Sequence, residues 1–211
     1  MVLNYFLSES AHRSGNKMGF LGNPQVKQFL DELFDKWLKE FPNSSTARIN
    51  QAAFQYYLGK WKESKRYLDE ALRIDPENIE GLNLRGWVCY NTSPTGYRSA
   101  EKDFQKIIEI NPYHDSAYSN LGMIARDAYK DRKKAVEFYD KAISLNDRSK
   151  ENFFGRGRAK FFLGNYEEAV NDLSRAIAID SNYKEAYWAR SECLRRLNRV
   201  EEAEADMQKS R

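Results

Sequence analysis

The stretch ALRIDPEN, residues 71–78, has the form of a helix end: apolar and charged residues, then an acid, a proline and an asparagine. It does not stand alone. IIEINPYH follows at 107–114, AISLNDRS at 142–149 and AIAIDSNY at 176–183. The acidic or amide residue falls at Asp75, Asn111, Asn146 and Asp180, in steps of 36, 35 and 34 residues. A near-constant period of that size marks stacked repeats and therefore sets the architecture. Each phrase ends one helix and turns the chain into the next unit. Pro76 and Pro112 bar continuation of the helix, and Asn146-Asp147 and Asp180-Ser181 are weaker breaks of the same kind.

Aligning the phrases brings further columns into register. A small residue stands at Ser64, Ala100, Ala135, Ala169 and Ala203, and a large apolar one follows at Leu68, Phe104, Tyr139, Leu173 and Met207. Next come Ala71, Ile107, Ala142 and Ala176, with Ser210 breaking the column. Spacings of four and then three keep these residues on one helical face. Upstream, Ala52, Gly86, Gly122, Gly157 and Ser191 form a second small column, where two helix backbones can approach closely. The segments between the columns vary in length only in the turn, where insertions cost little. Gly59 and Gly164 sit in that turn and suit a left-handed helix end. Each unit reads helix, short turn, helix, and such a pair must stack on its neighbours to bury its apolar faces.

YLGKWKESKRYLDEALRIDPEN and FLGNYEEAVNDLSRAIAIDSNY carry the glycine, aromatic, alanine and terminal acid-proline pattern of the tetratricopeptide repeat, and the chain resembles that family over about four-fifths of its length. The resemblance implies an all-α, right-handed superhelical solenoid with units at 45–78, 79–114, 115–149, 150–183 and 184–211. The family's early tryptophan is replaced by Arg48, Leu82, Tyr118, Phe153 and Tyr187.

Solenoid ends require polar caps. In the last helix Val170, Ala176 and Ile177 of the preceding unit become Glu204, Ser210 and Arg211, which reads as a terminus of the array. Upstream of it, residues 21–44 place Phe29, Leu30, Leu33, Phe34, Trp37, Leu38 and Phe41 at helical spacing and read as a capping helix whose aromatic stripe packs on the first unit. Residues 1–20 hold Tyr5, Phe6, Met18 and Phe20 without a period, and read as an extension that is either disordered or laid against the solenoid.

Composition narrows the classes. The net charge of +3 comes without a basic stripe, which argues against nucleic acid. Cys89 and Cys193 lie far apart within helical patterns, which fits two buried thiols better than a disulfide or metal site. The N-terminus lacks the basic leader and cleavage site of a signal peptide, and no segment approaches the roughly 20 apolar residues of a membrane span. The expected location is the cytoplasm, and the NSS and NTS triplets at 43–45 and 91–93 are read as chance matches to a glycosylation pattern.

Catalytic chemistry has little to stand on. His12 and His114 have no helically spaced partner or nucleophile. The glycines of GRG at 155–157 follow no strand, and paired glutamates such as those of YEEAV form a solvated helix face. The expectation is a chain without enzymatic activity, cofactor or metal.

By the family resemblance the first helices line the concave face that holds a peptide. The inward candidates are Asn50 and Tyr56, then Asn83, Trp87 and Tyr90, then Asn120 and Arg126, then Phe154 and Arg158, and finally Trp188 and Arg195. Aromatics and arginine are the usual anchors of interfaces, and the arginines are expected to be exposed and to suit acidic groups. Trp87 and Trp188 fit packing within the array equally well. A chaperone-tail clamp is not expected, since beyond Asn120 its polar set is replaced by residues such as Ile49, Ala53, Met123 and Phe154. The leading function is an adaptor that binds an acidic or apolar peptide or helix of another protein. Its rivals are self-association into a homo-oligomeric assembly part and, less favoured, a helical-repeat RNA binder.

Overall fold

The computed structural model describes residues 23–92 and 94–211. Tyr5, Phe6, His12, Met18 and Phe20, together with Ser93 of the NTS triplet, lie outside the described residues. The described chain is helical: α1 (Pro24–Glu40), α2 (Ser45–Tyr57), α3 (Trp61–Ile74), α4 (Ile79–Thr92), a 3-10 turn (Pro94–Gly96), α5 (Tyr97–Ile110), α6 (Asp115–Asp127), α7 (Arg132–Leu145), α8 (Lys150–Leu163), α9 (Tyr166–Ile179), α10 (Lys184–Arg196) and α11 (Val200–Lys209). No strand occurs among the described residues. Contacts divide the chain into two compact units, with the division between Asp103 and Phe104.

The repeated phrase builds one joint four times. The N–H of Asp75, Asn111, Asn146 and Asp180 closes the last turn of its helix on the carbonyl four residues back, at 2.8–3.0 Å. In three of the joints the side chain then makes an Asx turn: Asn111 Oδ1 accepts from Tyr113 N, Asn146 Oδ1 from Arg148 N and Asp180 Oδ1 from Asn182 N. The residue three after the Asx caps the next helix. Asn78 Oδ1 accepts from Gly81 N, His114 Nδ1 from Ala117 N and Ser149 Oγ from Asn152 N. Tyr183, in the fourth joint, makes no side-chain cap. The junction histidine of the sequence is thus a helix cap.

In the first unit α1 lies on α2, α2 pairs with α3, and α3 packs on α4. Ile49, Ala52, Leu68, Ala71 and Val88 form a buried core. The stripe on α1 is only partly covered. Phe34 is buried against Phe54, with ring centroids 5.7 Å apart, whereas Phe29, Leu33 and Phe41 are exposed. The expected packing of the whole stripe is therefore restricted to its Phe34 side, because α2 is the neighbour that covers it.

In the second unit the hairpins α6–α7, α8–α9 and α10–α11 stack. First helices touch first helices, α6 to α8 and α8 to α10, while α7 packs on α8 and α9 on α10. The small columns sit at close approaches. A Cβ on Gly157 would stand 2.9 Å from Leu173 Cγ, and one on Gly155 would stand 2.3 Å from the Tyr139 ring. Ser64 Oγ in the first unit donates to Ala52 O at 2.8 Å, tying the two small columns together. Gly59 and Gly164 adopt positive φ, and so do Lys130 and Asn198 in the corresponding turns.

A polar seam accompanies this apolar core. Arg156 grips Asp172 of its own hairpin through Nε and Nη2, at 2.9 and 2.6 Å, while Nη1 reaches Asp140 on the preceding second helix at 2.6 Å. Arg190 does the same with Asp206 and Ser174. In the first unit Arg85 joins Asp103 and Asp69. The corresponding positions of the third repeat are Leu121, which is buried, and Phe138.

Candidate functional site

Helix α8 reads KENFFGRGRAKFFL, and its Phe154, Arg158, Phe161 and Phe162 recur at spacings of four, three and one. Helix α10 places Trp188, Glu192 and Arg195 at spacings of four and three. Gly155 and Gly157 let α8 sink onto the Tyr139 ring and onto Leu173, which sets its other face toward α10. Between the two helices lies a cleft of about 200 Å³. Buried Leu173 and Ala189 form its base, and Phe161, Phe162 and Trp188 its walls. Phe162 and Trp188 are each 50% exposed, which is high for large apolar side chains. Arg158 and Glu192 border the cleft, and Glu192 Oε1 accepts from Arg195 Nη1 at 2.8 Å.

The charged groups around α8 divide sharply. Arg126 is buried: Nε and Nη2 donate to the two oxygens of Asp127 at 2.8 and 2.6 Å, and Nη1 donates to Tyr139 Oη at 3.3 Å. The exposure expected for Arg126 is not found, because Asp127 and a tyrosine hydroxyl in the large-apolar column hold it inside. Burial raises the Asp127 pKa, but the hydrogen bonds from Arg126 outweigh it and hold the carboxyl below its ordinary range.

Arg158 has no side-chain hydrogen bond or ion pair among the described residues. Its guanidinium carbon lies 5.8 Å from the Phe154 ring centroid and 6.0 Å from that of Phe162, at the edge of cation–π range. Desolvation and the nearby Arg126 cation lower its pKa, although an arginine remains charged at neutral pH. Arg132, at the start of α7, stands 4.6 Å above the same Phe162 ring. Among the described residues its Nη1 is shielded from solvent and meets no acceptor.

The other candidates are distributed as follows. Phe154 is half-buried, 5.1 Å from the Tyr183 ring, and Arg195 is exposed and paired with Glu192. Asn120 is buried in α6. Asn50 is buried in the first unit, where Nδ2 donates to Thr46 O at 3.0 Å. Asn83 is half-buried in α4. Tyr56 stands edge-on to Trp61 at 4.9 Å, and burial raises its pKa. Trp87 meets Tyr90 at 5.9 Å, and Tyr90 meets Tyr97 at 5.3 Å. Of the predicted residues, Arg158 and Trp188 therefore line one cleft with Phe154 and Arg195 beside it, while Tyr56, Trp87 and Tyr90 join aromatic clusters of the first unit. Sequence reasoning passed over Phe162 and Arg132. The doubled phenylalanine before LGN was the available signal for the first, and nothing local pointed to the second.

No group of three His, Cys, Asp or Glu among the described residues is placed to hold a metal. Cys89 and Cys193 are free and buried, and burial pushes the Cys193 thiol up to about 12, far from a reactive thiolate. None of the described helices is long and apolar enough to cross a membrane.

A tetratricopeptide repeat family model matches residues 115–148, and a second TPR repeat model matches 157–191. Anaphase-promoting complex subunit 3 of Schizosaccharomyces pombe is 28% identical over 54% of this chain, which spans 17% of that protein's length. TPR repeat-containing protein MJ1428 of Methanocaldococcus jannaschii is 30% identical over 70% of this chain, which spans 27% of its length. Among solved structures, YrrB, described as a TPR protein with an unusual peptide-binding site, superposes with a TM-score of 0.64 at 19% identity, over 84% of this chain and 90% of that one. The helical hairpins, their joints and these matches agree, and the chain is a tetratricopeptide repeat protein.

Proposed function

We propose that this protein is a protein–protein interaction scaffold that takes a peptide segment of its partner on the first-helix face of the second unit, over the cleft between α8 and α10. One observation carries the reading: Trp188 and Phe162 stand half exposed around an apolar recess that neighbouring side chains leave unfilled. Exposed aromatics grouped around a pocket are the usual anchors of an interface, and a recess of this size takes one large side chain. YrrB, described as having a peptide-binding site, is consistent with such a use of the fold.

Random dodecapeptides displayed on phage and panned on the full chain provide the test. Enriched peptides should lose about tenfold or more in affinity to Trp188→Ala with the fold retained, the size expected for one anchor. Peptides that bind wild type and Trp188→Ala equally would remove the cleft from the account, and a failure to enrich any peptide would remove the function.

A further inference from the structure

Folded proteins leave few half-buried cations without a partner, because desolvating a charge is costly unless hydrogen bonds replace the water. Most of the second unit obeys that rule. Arg156 and Arg190 are fully engaged with Asp172 and Asp206, Arg126 is matched to Asp127, and Lys160 meets both Glu168 and Asp172. Two cations beside the cleft do not. Arg158 and Arg132 both stand over the Phe162 ring, with guanidinium carbons within 6.0 Å of its centroid, and neither has a carboxylate partner among the described residues. Water compensates Arg132 poorly, since its Nη1 is shielded and without an acceptor.

From this juxtaposition we infer that the cleft selects an acidic-aromatic peptide: one large apolar side chain seated between Phe161, Phe162 and Trp188, with an adjacent Asp or Glu carboxylate bound by Arg158 and Arg132. The inference rests on the peptide-docking reading above and names the partner chemistry. A guanidinium pairs with a carboxylate through two parallel hydrogen bonds, and Phe162, already against both cations, would hold them in place for it. The neighbouring helix N-terminus favours a carboxylate over a phosphate dianion. Asp131 occupies it as the cap of α7, accepting from Lys134 N at 3.0 Å, and would repel the second negative charge. The chain's own first 22 residues are a poor occupant, because they carry Arg13 and Lys17 against a single Glu9.

Four fluorescein-labelled peptides, alike except that their one phenylalanine is followed by two glutamates, two glutamines, two lysines or two phosphoserines, are titrated against the full chain by anisotropy. The glutamate peptide should bind about tenfold tighter than the glutamine peptide, with the lysine peptide weakest. Arg158→Gln and Arg132→Gln should each reduce the glutamate-to-glutamine ratio to about threefold or less, with circular dichroism confirming the fold. Equal binding of the glutamate and glutamine peptides would overturn the acidic preference and leave docking intact. So would binding of displayed peptides when none of the four binds. A phosphoserine peptide that binds about tenfold tighter than the glutamate peptide would make phosphate the ligand and the carboxylate assignment wrong. Binding by neither the four nor any displayed peptide would end both readings.

Discussion

Arg156 and Arg158 are two residues apart on one helix and occupy opposite environments. Two steps of an α-helix turn a side chain through roughly 200°, so the pair point to different sides of α8. Arg156 finds Asp172 and Asp140, and Arg190 in the next repeat finds Asp206 and Ser174. Arg158 stands beside two phenylalanine rings and makes no ion pair among the described residues. The electrostatics follow the same division. Hydrogen bonds donated to Asp206 raise the pKa of Arg190, whereas desolvation and the Arg126 cation lower that of Arg158. In a stacked repeat the seam side of a first helix holds neighbours together, and the other side is free to hold something else. An arginine in the seam is part of the fold, and an arginine over the cleft is the one the proposed function assigns to a ligand.

The comparison breaks most visibly at the seam. Asp172→Ala removes the partner of both Arg156 and Lys160 and should cost about 3 kcal/mol in denaturant unfolding, the scale of a broken buried ion pair reduced for partial exposure. Next in size, Gly155→Ala puts a Cβ within 2.3–2.7 Å of Tyr139 ring and hydroxyl atoms, and should cost about 1–3 kcal/mol despite alanine's better helix propensity. Asp127 sharpens the comparison through pH. Its carboxyl is held below the ordinary range in the folded chain, so it adds stability above the unfolded pKa of about 3.9 and loses it as pH falls through the lower folded value. The stability gap between wild type and Asp127→Asn should therefore shrink as pH falls from 6 to 3, and a constant gap would mean that the Arg126 pair contributes nothing. The smallest effect is at Lys130, whose φ of 58° strains an ordinary side chain. Lys130→Gly should stabilise by about 0.5 kcal/mol, measured as a rise in denaturation midpoint.

The fold was legible because its joint is local. Asp75, Asn111, Asn146 and Asp180 form their turns with residues only two or three further on, so the four phrases carry the geometry in their own letters. The caps were only half legible. Asn78 and Ser149 are ordinary helix starters, while His114 acts through a ring nitrogen that composition does not advertise. The seam went unread, since Arg156 and Asp172 are 16 residues apart and Arg85 and Asp103 are 18 apart, beyond any helical period. It could have been found as one more pair of columns: arginine just before the crossing glycine or serine, aspartate just before the large apolar residue. Position on the first helix marked Arg126 and Arg158 alike as groove residues. The difference between them lies in Asp127, the very next residue, and in Tyr139, which only the packing of α6 on α7 brings to Arg126. Arg132 was invisible for the same reason, because its ring is 30 residues further along the chain.

The most direct test compares Arg156→Ala with Arg158→Ala in two measurements on the same samples, the urea midpoint and the affinity for a peptide enriched on the wild-type chain. The account predicts that Arg156→Ala loses about 2–3 kcal/mol of stability and keeps its peptide affinity while folded. Arg158→Ala should stay within about 0.5–1 kcal/mol of wild type and lose about tenfold in binding. The opposite pattern, or two variants that lose stability equally with unchanged binding, would contradict the division of the helix into a holding side and a binding side.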